Sequence, residues 1–411
     1  MNPWSEFPVK LDKFGKVAVI GAGDMGHGIA ETCALAGYDV ILKDVNEEVL
    51  EKAMIRIMNS LSILDRKKRL GDETIDNVMD RMHPTMYYDD MSNDIGLAIE
   101  AVPEIMKLKK QVFEELEAVL PEQAIIASNT SNMSISELAK VTRNPSRIVG
   151  MHFFNPPVIM KTVEIIKGNQ ARESVMEKMI GFTFSIDHLP ITVLKDSPGF
   201  IVNRVQAPSQ LLLIKMVEKG IATFHEIDAM ARNMQQPMGP FETFDYVGLD
   251  VVKHGLDYFA RTIDPRYNSP PWLNELVDSG NLGKKTGKGI HDWSAGRPVI
   301  DPDRATGKVS MLDLLVVQVN EACKILEQGI VKYPGEIDVA IKNGTGNKIG
   351  IFSILKSNRQ GVVDRLKHLA SLLDEPLFKP HPALLTMEVP SGRKAMRRLK
   401  HLRKEILGDK S

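Results

Sequence analysis

The sequence predicts an α/β domain built on a doubly wound parallel sheet, followed by two tandem all-α domains. Three patterns carry that expectation. Short apolar runs alternate with amphipathic segments up to about Lys195, helical spacing dominates from about residue 200 onward, and the helical part is written twice at an offset of 109 to 112 residues.

A chain of 411 residues exceeds what one hydrophobic core organises, so domains are placed at 14–195, 196–295 and 309–411. The net charge of −1 argues against nucleic acid as a partner, because neutralising phosphates needs a basic excess. Cys33 and Cys323 stand alone, with no C-x-x-C and no zinc spacing. Neither a disulfide framework nor a metal site is expected, and the reducing cytoplasm is the expected compartment. The start, MNPWSEFPVKLDKFG, is too polar for a signal peptide, and no apolar run approaches a membrane span.

The first elements are the most specific. VAVI is an apolar strand; Gly21, Gly23 and Gly26 form G-x-G-x-x-G at its end, enclosing Asp24 and Met25. The stripe Ile29, Ala30, Cys33, Ala34 then marks a helix, Gly37 stops it, and YDVILKD is a second strand closing on Asp44. The first Gly permits the tight turn, the second lets a pyrophosphate approach the backbone, and the third lets helix pack on strand. This is the context of a Rossmann-type dinucleotide-binding domain. A carboxylate at Asp44 accepts from ribose hydroxyls and repels a 2′-phosphate, favouring NAD over NADP, although Lys43 beside it is a mild counter-signal. Asp24 also fits a first-turn residue that complements the helix dipole and faces solvent.

Residues 46 to 80 carry helical spacing, LAIEAVPE (97–104) is a buried strand ending on Glu100 and Glu104, and a helix follows to about Leu120. AIIASNT, IVGMHF, VEIIK and PITVL are further strands. Asn129, Ser131, His152 and Asn155 fall at or just after strand ends, where open α/β sheets bind ligands. His152 with Glu164 makes a proton-transfer set: the imidazole takes a proton and the carboxylate holds its tautomer. A histidine beside two Phe also fits a hydrogen-bonded core position. Beyond Pro198 and Gly199, helices are expected over 200–219, 224–232, 241–262 and 270–279.

Taken in order, GAGDMGHGIAE, SNTSNMSI, HFFNPP, VEII, DSPGFIVNR, MGPFETFDYVGLDV and GKKTGKG resemble the L-3-hydroxyacyl-CoA dehydrogenase family, over roughly residues 14 to 293. The resemblance implies an NAD-dependent oxidation of L-3-hydroxyacyl-CoA to 3-oxoacyl-CoA. It makes His152 the general base, Glu164 its partner, and Ser131 and Asn203 the polar groups around the reacting oxygen. Asp44, Glu104, Lys109, Asn129, Asn155 and Lys285 match cofactor-contacting positions; Ser60 and Lys67 match positions touching coenzyme A. Two alternatives stand beside it: a hydroxy-acid dehydrogenase of the gulonate dehydrogenase/lambda-crystallin branch, and a non-catalytic NAD-binding protein.

The family's core enzyme would stop near Trp293. Beyond it, CKILEQGIVKYPGEIDVA (323–340) echoes residues 214–230, KIGIFS (348–353) echoes PMGPFE (237–242), and 380–392 echoes 270–280. Asn203 plus 109 lands on Leu312, so the copy lacks that polar group and is expected to be structural, forming an intrachain pseudo-dimer with the first copy. The basic tail RKAMRRLKHLRKEIL (393–407) has apolar residues at helical spacing. It fits an amphipathic helix packed on its own domain better than a membrane-surface or phosphate-binding segment.

Overall fold

The computed structural model describes residues 14–91, 93–346, 350–389 and 392–408. The start assessed for a leader lies almost wholly outside the described residues, as do 348–349 of the KIGIFS echo and 390–391 of the 380–392 echo.

Eight strands form one sheet: β1 (Lys16–Ile20), β2 (Asp39–Lys43), β3 (Met82–Thr85), β4 (Ile95–Glu100), β5 (Ile125–Ser128), β6 (Ile148–Phe153), β7 (Thr162–Lys167) and β8 (Leu189–Val193). Their order is β3-β2-β1-β4-β5-β6-β7-β8. The sheet departs from the expected all-parallel arrangement at one place. β6 and β7 pair antiparallel, whereas β7 and β8 are parallel. The segment 154–161 between β6 and β7 contains no helix and is too short for a parallel crossover, so the chain must return alongside itself. β3, just past the stretch 46–80 read as helical, is a further strand that the sequence reading did not include.

Helices α1 (Gly26–Leu35), α2 (Glu47–Arg66), α3 (Ile75–Asp80), α4 (Met106–Val119), α5 (Ile135–Ala139) and α6 (Glu173–Ser185) connect these strands. α2 forms because Asn46 caps it through the Val49 N–H, acids occupy its first turn and Arg66 its last. The core sits where α1 and α6 meet the sheet: Ile29, Cys33, Met179 and Phe182 pack with Val17, Val19, Ile99 and Met151. Each such side chain contributes about 1.5–3 kcal/mol by leaving water.

The helical region comprises α7 (Val202–Glu218), α8 (Phe224–Asn233), α9 (Pro240–Val247), α10 (Leu249–Thr262), α11 (Pro271–Asp278), α12 (Met311–Glu327), α13 (Pro334–Thr345), α14 (Ile354–Ser357), α15 (Arg359–Leu373), α16 (Ala383–Thr386) and α17 (Gly392–Leu407). The single helix expected over 241–262 is two, because Gly248 takes φ of +111° and ends α9 before α10 begins.

The chain divides into two compact units. One lies within Met1–Val202, Gln328–Gly350 and Pro390–Ser411; the other within Asn203–Glu327 and Ile351–Val389. In the first, α13 packs against β7 and α17 packs against α6 and α13. Leu399, Leu402 and Ile406 form the buried stripe of α17, Arg398 pairs with Glu336 of α13, and Arg403 reaches Asp187 at 3.1 Å. The basic tail is therefore a packed amphipathic helix. In the second unit, α7 and α12 lie together: Arg204 Nε donates to Glu321 at 2.6 Å and Gln318 Nε2 to Ser209 Oγ at 3.0 Å.

A similar local device occurs at two places separated by about the offset of the sequence repeat. Asp228 accepts the Phe241 and Glu242 N–H groups at the start of α9, and a Cβ on Gly239 would fall 2.4 Å from its carboxyl group. In the copy, a Cβ on Gly350 would fall 2.3 Å from the Asp338 carboxyl carbon.

Candidate functional site

His152 and Glu164 face each other because the β6–β7 register sets them directly opposite. His152 Nδ1 lies 2.7 Å from Glu164 Oε2. An ionised carboxylate only accepts, so Nδ1 carries the proton and Nε2 keeps its lone pair. The second carboxylate oxygen accepts the N–H groups of Ile201 at 3.1 Å and Val202 at 2.9 Å, at the entry to α7. Its charge thus sits at a helix N-terminus, where the dipole favours it. Glu164 is fully buried and His152 nearly so, with the rings of Phe154 and Phe200 centred 4.8 and 5.9 Å from the imidazole. The arrangement is a base with its tautomer fixed, its ring wedged and most water kept away.

Asn129 follows β5, and its Oδ1 accepts the Phe153 N–H at 2.9 Å, which ties the ends of β5 and β6 together. The Ser131 N–H donates to Glu104 Oε1 at 3.1 Å. The same carboxylate oxygen accepts from Thr130 Oγ1 at 2.5 Å. Lys109, expected at the cofactor, is 1% exposed, and its ammonium donates to Glu100 Oε1 at 2.7 Å and to the Val102 carbonyl at 3.2 Å, with Glu104 Oε2 at 3.2 Å. Glu100 in turn accepts from Ser128 Oγ at 2.6 Å. Sequence reasoning missed the part played by Glu100, Ser128 and Thr130. The available signal was a carboxylate closing the apolar strand IGLAIE, which requires a cation once buried.

The glycine loop has the shape a dinucleotide needs. A Cβ on Gly21, at φ of +100°, would meet the Ala101 carbonyl at 2.7 Å, and one on Gly26 would meet the Gly21 carbonyl at 1.7 Å. At Gly23 nothing lies within 4 Å of that position, so the backbone is open where a pyrophosphate would approach. Met25 holds the N-cap position of α1 without a side-chain cap, and the first turn of the helix opens on the same loop, where the His27 N–H donates to the Gly23 carbonyl at 3.3 Å. Asp44 follows β2 directly, half-buried, and accepts the Ala22 N–H at 2.8 Å, which binds the loop to the second strand. These residues fit NAD.

Other expected positions are placed as follows. Asp24 is exposed and pairs with Arg56 of α2 at 2.7 Å. Asn155 is exposed just after β6; Ser60 is half-buried on α2, and Lys67 is its exposed C-cap. In the second unit, Asn203 follows Val202 in α7, and Lys285 pairs with Asp250 at 2.6 Å. Among the described residues, no group of three or more His, Cys, Asp or Glu could hold a metal ion, and no helix is long and apolar enough to cross a membrane.

Comparison with known proteins points one way. The family model for the 3-hydroxyacyl-CoA dehydrogenase NAD binding domain matches residues 16–197. That for the 3-hydroxyacyl-CoA dehydrogenase C-terminal domain matches twice, over 199–293 and 313–400. The chain is 36% identical over 285 residues to the human mitochondrial hydroxyacyl-coenzyme A dehydrogenase, covering 67% of this chain and 90% of that protein. It is 36% identical over 281 residues to a 3-hydroxybutyryl-CoA dehydrogenase of Clostridioides difficile, covering 68% and 99%. The crystal structure of 3-hydroxybutyryl-CoA dehydrogenase from Escherichia coli K12 aligns with a TM-score of 0.79 at 26% identity, covering 95% of this chain and all of that one.

Proposed function

Since this chain belongs to the 3-hydroxyacyl-CoA dehydrogenase family, we infer that it oxidises L-3-hydroxyacyl-CoA thioesters reversibly to 3-oxoacyl-CoA with NAD. The observation that carries the reading is the His152–Glu164 pair, with Nδ1 held as donor and Nε2 left as acceptor. NAD, when bound, supplies the hydride acceptor. His152 Nε2 takes the proton of the substrate hydroxyl, and the imidazolium so formed lies against the buried charge of Glu164. Ser131 and Asn203 orient the hydroxyl and thioester, and Ser60 and Lys67 hold the coenzyme moiety. Gly21, Gly23, Asp24, Met25, Gly26, Asp44, Glu104, Lys109, Asn129, Ser131, Asn155 and Lys285 form the cofactor side, with Lys109 acting through Glu100 and Glu104.

The test is NADH formation with L-3-hydroxyacyl-CoA thioesters from about four to about sixteen carbons, where each methylene in an apolar pocket alters efficiency by about 10–200-fold. Turnover across part of the series is expected. Turnover of a sugar acid with none of any thioester would overturn the reading.

The duplicated helices serve as an intrachain pseudo-dimer, while another oligomer through other surfaces is left open. α7 and α12 are both 17 residues long and begin 109 positions apart. Ser209 and Gln318, separated by the same 109 positions, hydrogen-bond to each other. Contact between equivalent positions is what a two-fold axis produces, which supports the reading. Two free, buried cysteines support a cytoplasmic location.

A further inference from the structure

The turn that carries Ser131 begins where β5 ends, beside the end of β4. A hydroxyl- and amide-rich run such as SNTSN bonds to its own backbone rather than continuing a strand. Each backbone N–H from Asn129 to Met133 has an acceptor close by. That of Asn129 donates to the Glu100 carbonyl at 2.7 Å, and that of Thr130 to Ser128 Oγ at 3.2 Å. Those of Ser131 and Asn132 share Glu104 Oε1 at 3.1 and 3.3 Å, and that of Met133 donates to Thr130 Oγ1 at 2.9 Å. Thr130 Oγ1 in turn donates to Glu104 Oε1 at 2.5 Å. The backbone at Ser131 is thus pinned by the Glu104 carboxylate.

Burial alone does not hold that carboxylate. The Glu104 side chain is 33% exposed, and its Oε2 lies 3.2 Å from Nζ of the buried Lys109. Without the ammonium, Glu104 is free to turn toward water, where an ionised carboxylate is best solvated. Lys109 has no such freedom. Its ammonium protons meet Glu100 Oε1 at 2.7 Å, with the Val102 carbonyl and Glu104 Oε2 at 3.2 Å each, which uses every donor it has. Glu100, fully buried at the end of β4, is fixed by the Val102 N–H at 2.7 Å and by Ser128 Oγ at 2.6 Å. Support therefore runs outward from the core: Glu100 to Lys109, Lys109 to Glu104, Glu104 to Ser131.

We propose that Glu100 and Lys109 are positioning residues for Ser131: anchored on Glu100, the Lys109 ammonium holds Glu104, and Glu104 holds the turn that presents the serine to the substrate hydroxyl. The proposal rests on the acyl-CoA reading above, and it puts the effect of Lys109 on the substrate side of the site. Both residues are buried and act through Glu104 rather than by contact with the substrate. A group that orients a reacting hydroxyl loses about 10²-fold in rate when it is misplaced by about 1 Å. Loss of the ammonium therefore falls on kcat, while the glycine loop and Asp44 keep their own contacts with each other.

The experiment is a double-mutant cycle on the full chain. Lys109→Met, which removes the charge at similar length, is made in wild type and in Ser131→Ala. Turnover of L-3-hydroxybutyryl-CoA is measured at saturating NAD, and NADH binding is followed by fluorescence without substrate. Lys109→Met should lower kcat about 10²-fold and leave NADH affinity within about threefold of wild type. On the Ser131→Ala background the same substitution should cost no more than about threefold further, because the group through which it acts is gone. Lys109→Met strands the buried charge of Glu100, so the pair Glu100→Gln with Lys109→Met is made beside it. That pair removes both charges, should fold, and still frees Glu104, so it should show the same loss of kcat and the same dependence on Ser131. Losses that multiply across the two backgrounds overturn the proposal alone, as does NADH binding weakened about tenfold with kcat unchanged. No turnover of the thioester by the wild-type protein overturns the acyl-CoA reading along with it.

Discussion

Replacing Glu164 by Gln tests the base assignment more sharply than removing the histidine, because the outcome follows from counting donors. The carboxylate accepts three N–H groups: His152 Nδ1 at 2.7 Å, Ile201 at 3.1 Å and Val202 at 2.9 Å. An amide offers one accepting and one donating end. Turned with its oxygen toward His152, it would aim its NH₂ at two buried backbone donors and leave both unpaired, at about 1–3 kcal/mol each. The opposite orientation wins: oxygen to the backbone, NH₂ to the imidazole. That forces Nδ1 to accept and moves the ring proton to Nε2, where the lone pair was needed. The variant should fold, bind NAD normally and lose about 10²- to 10⁴-fold in kcat, or about 3–5 kcal/mol of barrier. Steady-state NADH formation, with NAD binding followed by fluorescence as the control for folding, decides the matter. A kcat within about threefold of wild type would refute the tautomer argument.

Other outcomes follow from the same geometry. His152→Gln should lower turnover by about 10²- to 10⁴-fold with NAD affinity nearly unchanged; near wild-type turnover would remove the base assignment. Asp44→Ala should narrow the preference for NAD over NADP in kcat/KM, and equal efficiency with both cofactors in the unaltered protein would count against a ribose-binding role. Glu31, on α1 and 1% exposed, is pushed by burial from the ordinary carboxyl range up to about 7. The fold therefore favours its neutral form. That contribution is complete below about pH 4.5 and is lost as pH rises through about 7, a change of at most about 3 kcal/mol. Urea midpoints against pH should show it in wild type and not in Glu31→Gln; identical curves would contradict it. A chain truncated after Ser294 loses α12, α13 and α17 and should aggregate or dimerise through the apolar faces so bared. A stable, soluble monomer of unchanged activity would show that the second copy covers nothing.

What could be read before the structure was what local sequence encodes. The run VAVI, the three glycines, the Ile29-to-Ala34 stripe and Asp44 specify strand, turn, helix and strand without help from the rest of the chain, and β1, α1 and β2 lie there. His152 and Glu164 could be paired by chemistry, but not by geometry. Their apposition depends on an antiparallel register that period-two patterning does not orient. Lys109 could not be assigned to Glu100 from spacing, since a strand end and a helix face meet there only after folding. Glu31 escaped notice for a different reason. α1 is buried on nearly every side, so its hydrophobic pattern is too weak to say that a carboxylate inside it is enclosed.

The discontinuity of the first unit bears on how the chain is made. β7 is flanked by α13 and α6 by α17, yet those covers come from residues 334–345 and 392–407. At about 5–20 residues per second, tens of seconds separate the emergence of His152 from that of α17. During that interval the ribosome carries a sheet whose β7 still lacks α13 and whose α6 still lacks α17, while the helices of the intervening unit emerge. Folding of the first unit during synthesis is therefore completed only after the intervening unit has emerged, since a helix at 392–407 closes a unit whose sheet begins at Lys16.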